Sequence, residues 1–293
     1  MTRGRDYSTV LFGALGISFA PILLVLSQVD PTPAAVWRFV WALPVLVPVC
    51  LIRASSSFRV RDWMPSAILS GVFFACDMAL WHRSIGLIGA GPATLVVNTQ
   101  VIWIALFGMV ALRERPARAF WLALPVTFSG LALLSGGEVA GVPSETRLPG
   151  LAMALGAGVA YAGALICLRR AGRSSGSAPE AVLLVQLATA GPLLGLLGTA
   201  EGTLQVLPHA WQHLWLALLG LGPQAVAWLL ITRGIAGLPG HHGGLVLLLQ
   251  PVASLALGWV ILDQALGARA AAGAALTLVG IGAVLLAERT KEG

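Results

Sequence analysis

Residues 81–134 read WHRSIGLIGAGPATLVVNTQVIWIALFGMVALRERPARAFWLALPVTFSGLALL. Residues 231–284 read ITRGIAGLPGHHGGLVLLLQPVASLALGWVILDQALGARAAAGAALTLVGIGAV, a second copy displaced by 150 positions without a gap. The register is carried by Arg83/Arg233, Gln100/Gln250, Thr127/Thr277 and the glycine pairs Gly108/Gly258 and Gly130/Gly280. Leu95/Leu245, Val96/Val246 and Leu112/Leu262 agree as well, although such matches come easily in a chain that is 57% hydrophobic. Upstream, Leu69/Leu219, Ala75/Ala225 and Leu80/Leu230 extend the copy.

A chain of 293 residues with only 10% charged side chains cannot present an ordinary water-facing surface, on which charged residues make up about a quarter of the composition. Apolar stretches of about twenty residues suffice to cross a ~30 Å hydrocarbon core. Ten such stretches are expected, near 9–27, 33–52, 64–84, 92–112, 117–136, 148–168, 180–199, 213–233, 243–262 and 267–287. The expected fold is therefore an all-α integral membrane protein with short loops. The first stretch is expected to be retained, since no small-residue cleavage site stands out around 28–33.

The charges predict orientation. With the amino terminus in the cytoplasm, fourteen of the 18 Lys and Arg fall on the inner side. Arg83, Arg147 and Arg269 fall on the outer side, and Arg38 lies inside a span. That is a positive-inside pattern, which puts both termini in the cytoplasm. The two copies then enter the membrane in opposite senses, giving a first five-helix unit over 1–140 and a second, inverted one over 141–293. Their junction is the Gly-, Pro- and Ser-bearing loop 137–149. Inverted duplication is how many alternating-access transporters are built, with the site at the interface of the repeats.

Other classes fit poorly. The net charge of +6 is dispersed over short loops, which argues against a basic face for nucleic acid. The sequence holds no H-E-x-x-H and no G-x-S-x-G, and no Ser/His pairing at helical spacing, so catalysis is not expected. A channel would call for a ring of repeated polar residues. Cys50, Cys76 and Cys167 lie singly in different spans and read as small buried thiols. His241 and His242 follow Pro239-Gly240 and, without a Cys or carboxylate beside them in sequence, read as a solvated loop and not a metal site. No cofactor is expected.

Polar groups within spans are costly, roughly 2.5–3.5 kcal/mol for a charge at the bilayer centre, so each is informative. Asp77 is either a proton or cation site or the structural partner of Arg38. Arg38 either snorkels toward headgroups past Trp37 and Trp41 or holds a substrate carboxylate. Asn98 and Gln100 belong to the densest polar cluster in any span, and Gln250 repeats Gln100. Those amides either bond between helices or bind substrate. Trp103, Tyr161 and Trp228 are candidate stacking surfaces, with Gln224 on the span of Trp228. Pro21, following Gly13 and Gly16, is a candidate hinge. Gly191 and Gly195 carry the G-x-x-x-G spacing of close helix packing.

The stretch 81–134 and its copy resemble the signature of the drug/metabolite transporter superfamily, in particular its EamA-type exporters. The resemblance implies ten spans in two inverted halves and an acidic loop opening the fifth and tenth. Leu112-Arg113-Glu114-Arg115 matches that loop, whereas Leu262-Asp263-Gln264-Ala265 departs from it at Gln264. Within the family the chain is most similar to YddG-type bacterial exporters. That similarity implies efflux of aromatic and other large neutral amino acids across the cytoplasmic (inner) membrane by a monomer. Extrusion of hydrophobic or cationic drugs, with Asp77 as counter-charge, is the alternative. The expected cavity is lined by spans one, three, four, six, eight and nine.

Overall fold

The computed structural model describes residues 2–53, 60–134, 144–174, 176–204, 208–263 and 267–292. Among them, nine helices are long and apolar enough to cross a membrane, and the 17-residue helix Arg118–Leu134 is a shorter tenth. At 1.5 Å per residue it spans about 26 Å.

In chain order the elements are α1 (Thr2–Ile17), α2 (Ala20–Ser27), α3 (Pro31–Arg53), α4 (Val60–Ile88), α5 (Ala90–Val97), α6 (Gln100–Leu112) and α7 (Arg118–Leu134). They continue with α8 (Ser144–Arg173), α9 (Pro179–Ala200), α10 (Ala210–Leu219), a π-helical segment (Gly220–Ala227), α11 (Trp228–Gly237), α12 (Gly240–Leu247), α13 (Leu249–Ile261) and α14 (Ala268–Glu292). The first span is thus α1 and α2 in series. The fourth is α5 and α6, the eighth is α10 through α11, and the ninth is α12 and α13. Residues 144–149, expected as loop, form the first turns of α8.

Contacts between segments distant in sequence define two ends. Arg53 and Arg233 both reach Glu180, at 3.9 and 3.4 Å, and Asp6 lies against Gly237. Glu114 meets Arg169 and Gly240 at the same end, called here the Glu114 end. At the other end Arg83 pairs with Glu201, Thr32 touches Gly198 and Ile88 touches Gly150.

Close crossings explain several glycines. A Cβ on Gly13 would sit 2.6 Å from Ile231 and 2.9 Å from the Ala227 carbonyl, so α1 packs backbone to backbone on the eighth span. Helices α7 and α14 cross just as closely and run antiparallel. Gly130 faces Thr277, Gly280 faces Thr127 and Gly273 faces Leu134. Without small residues there, dispersion contacts between helices would be lost to a wider spacing. The G-x-x-x-G pair does not behave this way, because Gly191 meets only Phe39 at 3.6 Å and Gly195 faces open space. The cysteines depart from expectation too: Cys76 is exposed on the outer face of α4, and Cys50 and Cys167 are half-buried.

Candidate functional site

Between the two halves lies a cavity of about 510 Å³ that extends toward the Arg83 end, where Pro31, Ala90, Leu134 and Leu262 line it. Its floor is made by Ile17, Phe74, Gln100, Tyr161 and Trp228. Below the floor a buried apolar core containing Ile104, Leu165, Leu168, Ile231 and Ile235 fills the space toward the Glu114 end. A volume in the ~300–1,000 Å³ range with few polar groups is typical of small-molecule sites.

Most of the sequence-derived candidates converge on it. Arg38, Asp77, Asn98, Gln100, Tyr161, Trp228, Gln250 and Pro21 all line the cavity. Arg38 therefore does not reach out to the headgroups as snorkelling requires: its Nε is buried without a hydrogen-bond partner and faces the same space as Asp77. Tyr161 and Gln250 line the same stretch of the cavity, and Gln250 Nε2 and Gln100 Oε1 have no hydrogen-bond partner among the described residues. Phe74 and Trp228 meet edge to face at 5.1 Å, and Tyr161 meets Trp228 at 6.1 Å, forming one aromatic wall.

Two candidates fall elsewhere. Trp103 packs against the apolar core, one helical turn below Gln100 and past the cavity floor. Gln224 is fully buried in the π-helical segment, and neither amide atom has a partner among the described residues. The second span, omitted from the expected lining, contributes Pro31, Ala34, Ala35 and Arg38. Sequence reasoning also missed Trp81 and His82, whose Nε1 and Nδ1 are buried without partners at the cavity wall. Their signal was position: they begin the repeated stretch beside Arg83.

Three helix breaks shape this site. In the first span the chain turns at Ser18 and Phe19, just before Pro21. Proline lacks an N–H and crowds the carbonyl four residues back. For Pro21 that carbonyl is Ile17's, and at the turn itself the Ser254 hydroxyl from α13 donates to the Ser18 carbonyl at 2.9 Å, the kind of repair that lets broken helices persist in a bilayer. The fourth span breaks at Asn98 and Thr99, whose side chains donate to the Thr94 and Val96 carbonyls at 2.8 and 2.7 Å. Such back-bonding competes with the helical ladder. The ninth breaks at Leu248, the position 150 residues on, where Pro251 cannot donate to the Leu247 carbonyl.

The Glu114 end is tightly closed. Arg113 takes a left-handed conformation (φ 56°) after α6, which turns Glu114 back across the junction of the halves. Its carboxylate accepts the Gly240 N–H at 2.9 Å, at the first residue of α12, and pairs with Arg169 at 2.5 Å. His241 Nδ1 lies 3.8 Å from the same carboxylate. Burial alone would raise the Glu114 pKa, but His241, Arg169 and the Gly240 N–H outweigh it and hold it down at about 2. His241 and His242 are thus not in a solvated loop. They are 4% and 3% exposed within α12, with Phe120 on His241 and the Tyr7 hydroxyl hydrogen-bonded to His242. Among the described residues no cluster of three or more His, Cys, Asp and Glu could hold a metal. Gln264, the departure from the acidic-loop pattern, lies outside the described residues.

A single family model matches this chain twice, over residues 7–136 and again over residues 148–286. The chain belongs to the EamA-like transporter family. This transporter is also similar along 99% of its length to the "Uncharacterized transporter YwfM" of Bacillus subtilis (strain 168), at 24% identity over 297 residues and 97% of that protein. A solved crystal structure superposes with a TM-score of 0.83 over 99% of this chain and 100% of the other, at 22% identity. That likeness speaks to the fold. The family and the apolar helices make this chain a multi-pass membrane transporter.

Proposed function

We propose that this transporter exports aromatic and other large neutral amino acids, moving them by alternating access through the cavity between two inverted repeats. The observation that carries the reading is the cavity's chemistry. A guanidinium (Arg38) and a carboxyl group (Asp77) share it with an aromatic wall of Phe74, Tyr161 and Trp228. A zwitterion taken from water needs both charges answered, and a large apolar side chain needs the rings. Arg38, with the unpartnered Trp81 N–H near it and the His82 ring beside it, takes the carboxylate; Asp77 takes the ammonium. Asn98, Gln100 and Gln250 supply the remaining donors and acceptors.

The inverted arrangement is supported by packing. Shifting both members of the pairs 127–280 and 130–277 by 150 positions exchanges one pair for the other, as a two-fold axis between antiparallel helices demands. The fourth span packs on the sixth as the ninth packs on the first, and the third packs on the sixth as the eighth packs on the first. A unit boundary near residue 140 accords with the two matched stretches. Together with the positive-inside charge pattern, the Glu114 end is assigned to the cytoplasm and the cavity faces outward, in a bacterial cytoplasmic membrane.

The reading is tested by efflux of labelled phenylalanine from proteoliposomes, with unlabelled amino acids and methyl viologen as competitors. Competition by Trp, Leu or Met is expected. Arg38→Gln should weaken apparent affinity for phenylalanine about tenfold or more, as loss of a charge-assisted bond implies, while sparing an amine without a carboxylate. A second reading, extrusion of cationic drugs, is favoured by Asp77 in a largely apolar pocket. Methyl viologen binding without phenylalanine efflux would select it, and Asp77→Asn would then remove binding.

A further inference from the structure

We infer that Glu114 is the keystone of a latch that holds the Glu114 end shut, and that this latch must break for the cavity to open there. The inference rests on the alternating-access reading. Each polar contact of the Glu114 carboxylate joins one half to the other. Glu114 follows the fourth span of the first half, whereas Arg169, Gly240 and His241 all belong to the second. Tyr7 on α1 reaches His242 on α12 in the same way. The carboxylate also caps α12, meeting an unpaired N–H at the positive end of a helix.

Location gives the cluster its consequence. Ile104 is fully buried directly beneath it, touching Gly240 and Gly244, and the cavity floor lies beyond. Opening this end therefore requires α6 and α12 to part, and Glu114 spans that seam. Among the described residues the opposite end shows no comparable buried cluster, and its Arg83–Glu201 pair is about one-third exposed.

Cysteine accessibility tests the latch without a substrate. Cys50, Cys76 and Cys167 are replaced by Ala, and either Thr94→Cys in the cavity wall or Ile104→Cys beneath the latch is introduced. With Glu114 present, a polar methanethiosulfonate should label residue 94 quickly and residue 104 slowly in the purified full chain. Glu114→Gln should raise labelling at 104 about tenfold and lower it at 94, and the exchanged pair Glu114→Arg with Arg169→Glu should move both part of the way back. An unchanged ratio in a monodisperse Glu114→Gln protein would overturn the latch. If that variant aggregates, Tyr7→Phe carries the test, with a smaller rise at 104 expected and no rise counting against the latch. A labelling shift without phenylalanine efflux would sink the substrate assignment alone.

Discussion

The fourth and ninth spans occupy equivalent places in the two copies and break at equivalent residues, Asn98–Thr99 and Leu248, yet they break for different reasons. In the fourth, two polar side chains draw hydrogen bonds away from the ladder. In the ninth, Pro251 withholds one. Their surroundings are opposite as well. All eight residues of α12, before the break, are buried at the closed end. After the break, Gly258 is the one buried residue of α13, which borders the cavity through Gln250, Pro251, Ser254 and Leu255. In the fourth span the order is reversed: α5 borders the cavity and α6 buries Ile104 and Ala105. The lesson is that the fold requires the bend, while either backbone chemistry can supply it.

Pro251→Ala should separate the two spans most strongly. It restores a donor for the Leu247 carbonyl and removes a residue that costs a helix interior about 3 kcal/mol. The ninth span should straighten, raising the thermal midpoint in detergent while efflux falls about tenfold. Asn98→Ala with Thr99→Ala removes two neutral hydrogen bonds, each worth about 1 kcal/mol, so the fourth span should straighten too, with a smaller rise in the thermal midpoint. Equal rises of the thermal midpoint in both variants would refute the distinction.

The α7–α14 crossing offers a second contrast. A methyl on Gly130 would meet the Thr277 backbone nitrogen at 2.5 Å, whereas on Gly280 it would first meet the Thr127 hydroxyl. Both Ala variants should destabilise, by about 1–3 kcal/mol for overpacking, with Gly130→Ala the worse in thermal unfolding. A milder effect separates Trp228, in the cavity wall, from Trp103, below its floor. Trp228→Ala should weaken phenylalanine several-fold more than threonine, as loss of an aromatic contact of ~0.5–1.5 kcal/mol plus buried area implies. Trp103→Ala should weaken both alike, and selective loss there would return Trp103 to the site.

The smallest effect concerns pH. Glu114 is held at about 2, below the ordinary 4.5, so the stability it contributes is complete above 4.5 and is lost only as pH falls toward 2. Labelling at residue 104 should therefore stay flat from pH 8 to 5. A rise within that interval would assign the opening of this end to some other titrating group.

Composition, span length and the 150-residue register are properties of the chain itself, and they were sufficient for the helical membrane fold and the paired halves. The Gln100/Gln250 pair was legible for the same reason, since both amides come from one repeated position and both border the cavity. Arg38 was not, because a helical register does not say whether a cation near a span's end turns to lipid or inward. His241 and His242 look solvent-exposed beside Pro239-Gly240 until α12 is seen buried on every side. Glu114 stands out in the sequence as an acidic loop, but Arg169 is 55 residues away and Gly240 is 126 away. Periodicity tells which residues share a face of one helix. Which faces meet, which carboxylate closes the seam between halves and where the cavity stops are set by the packing of helices distant in the chain, and only the tertiary structure decides them.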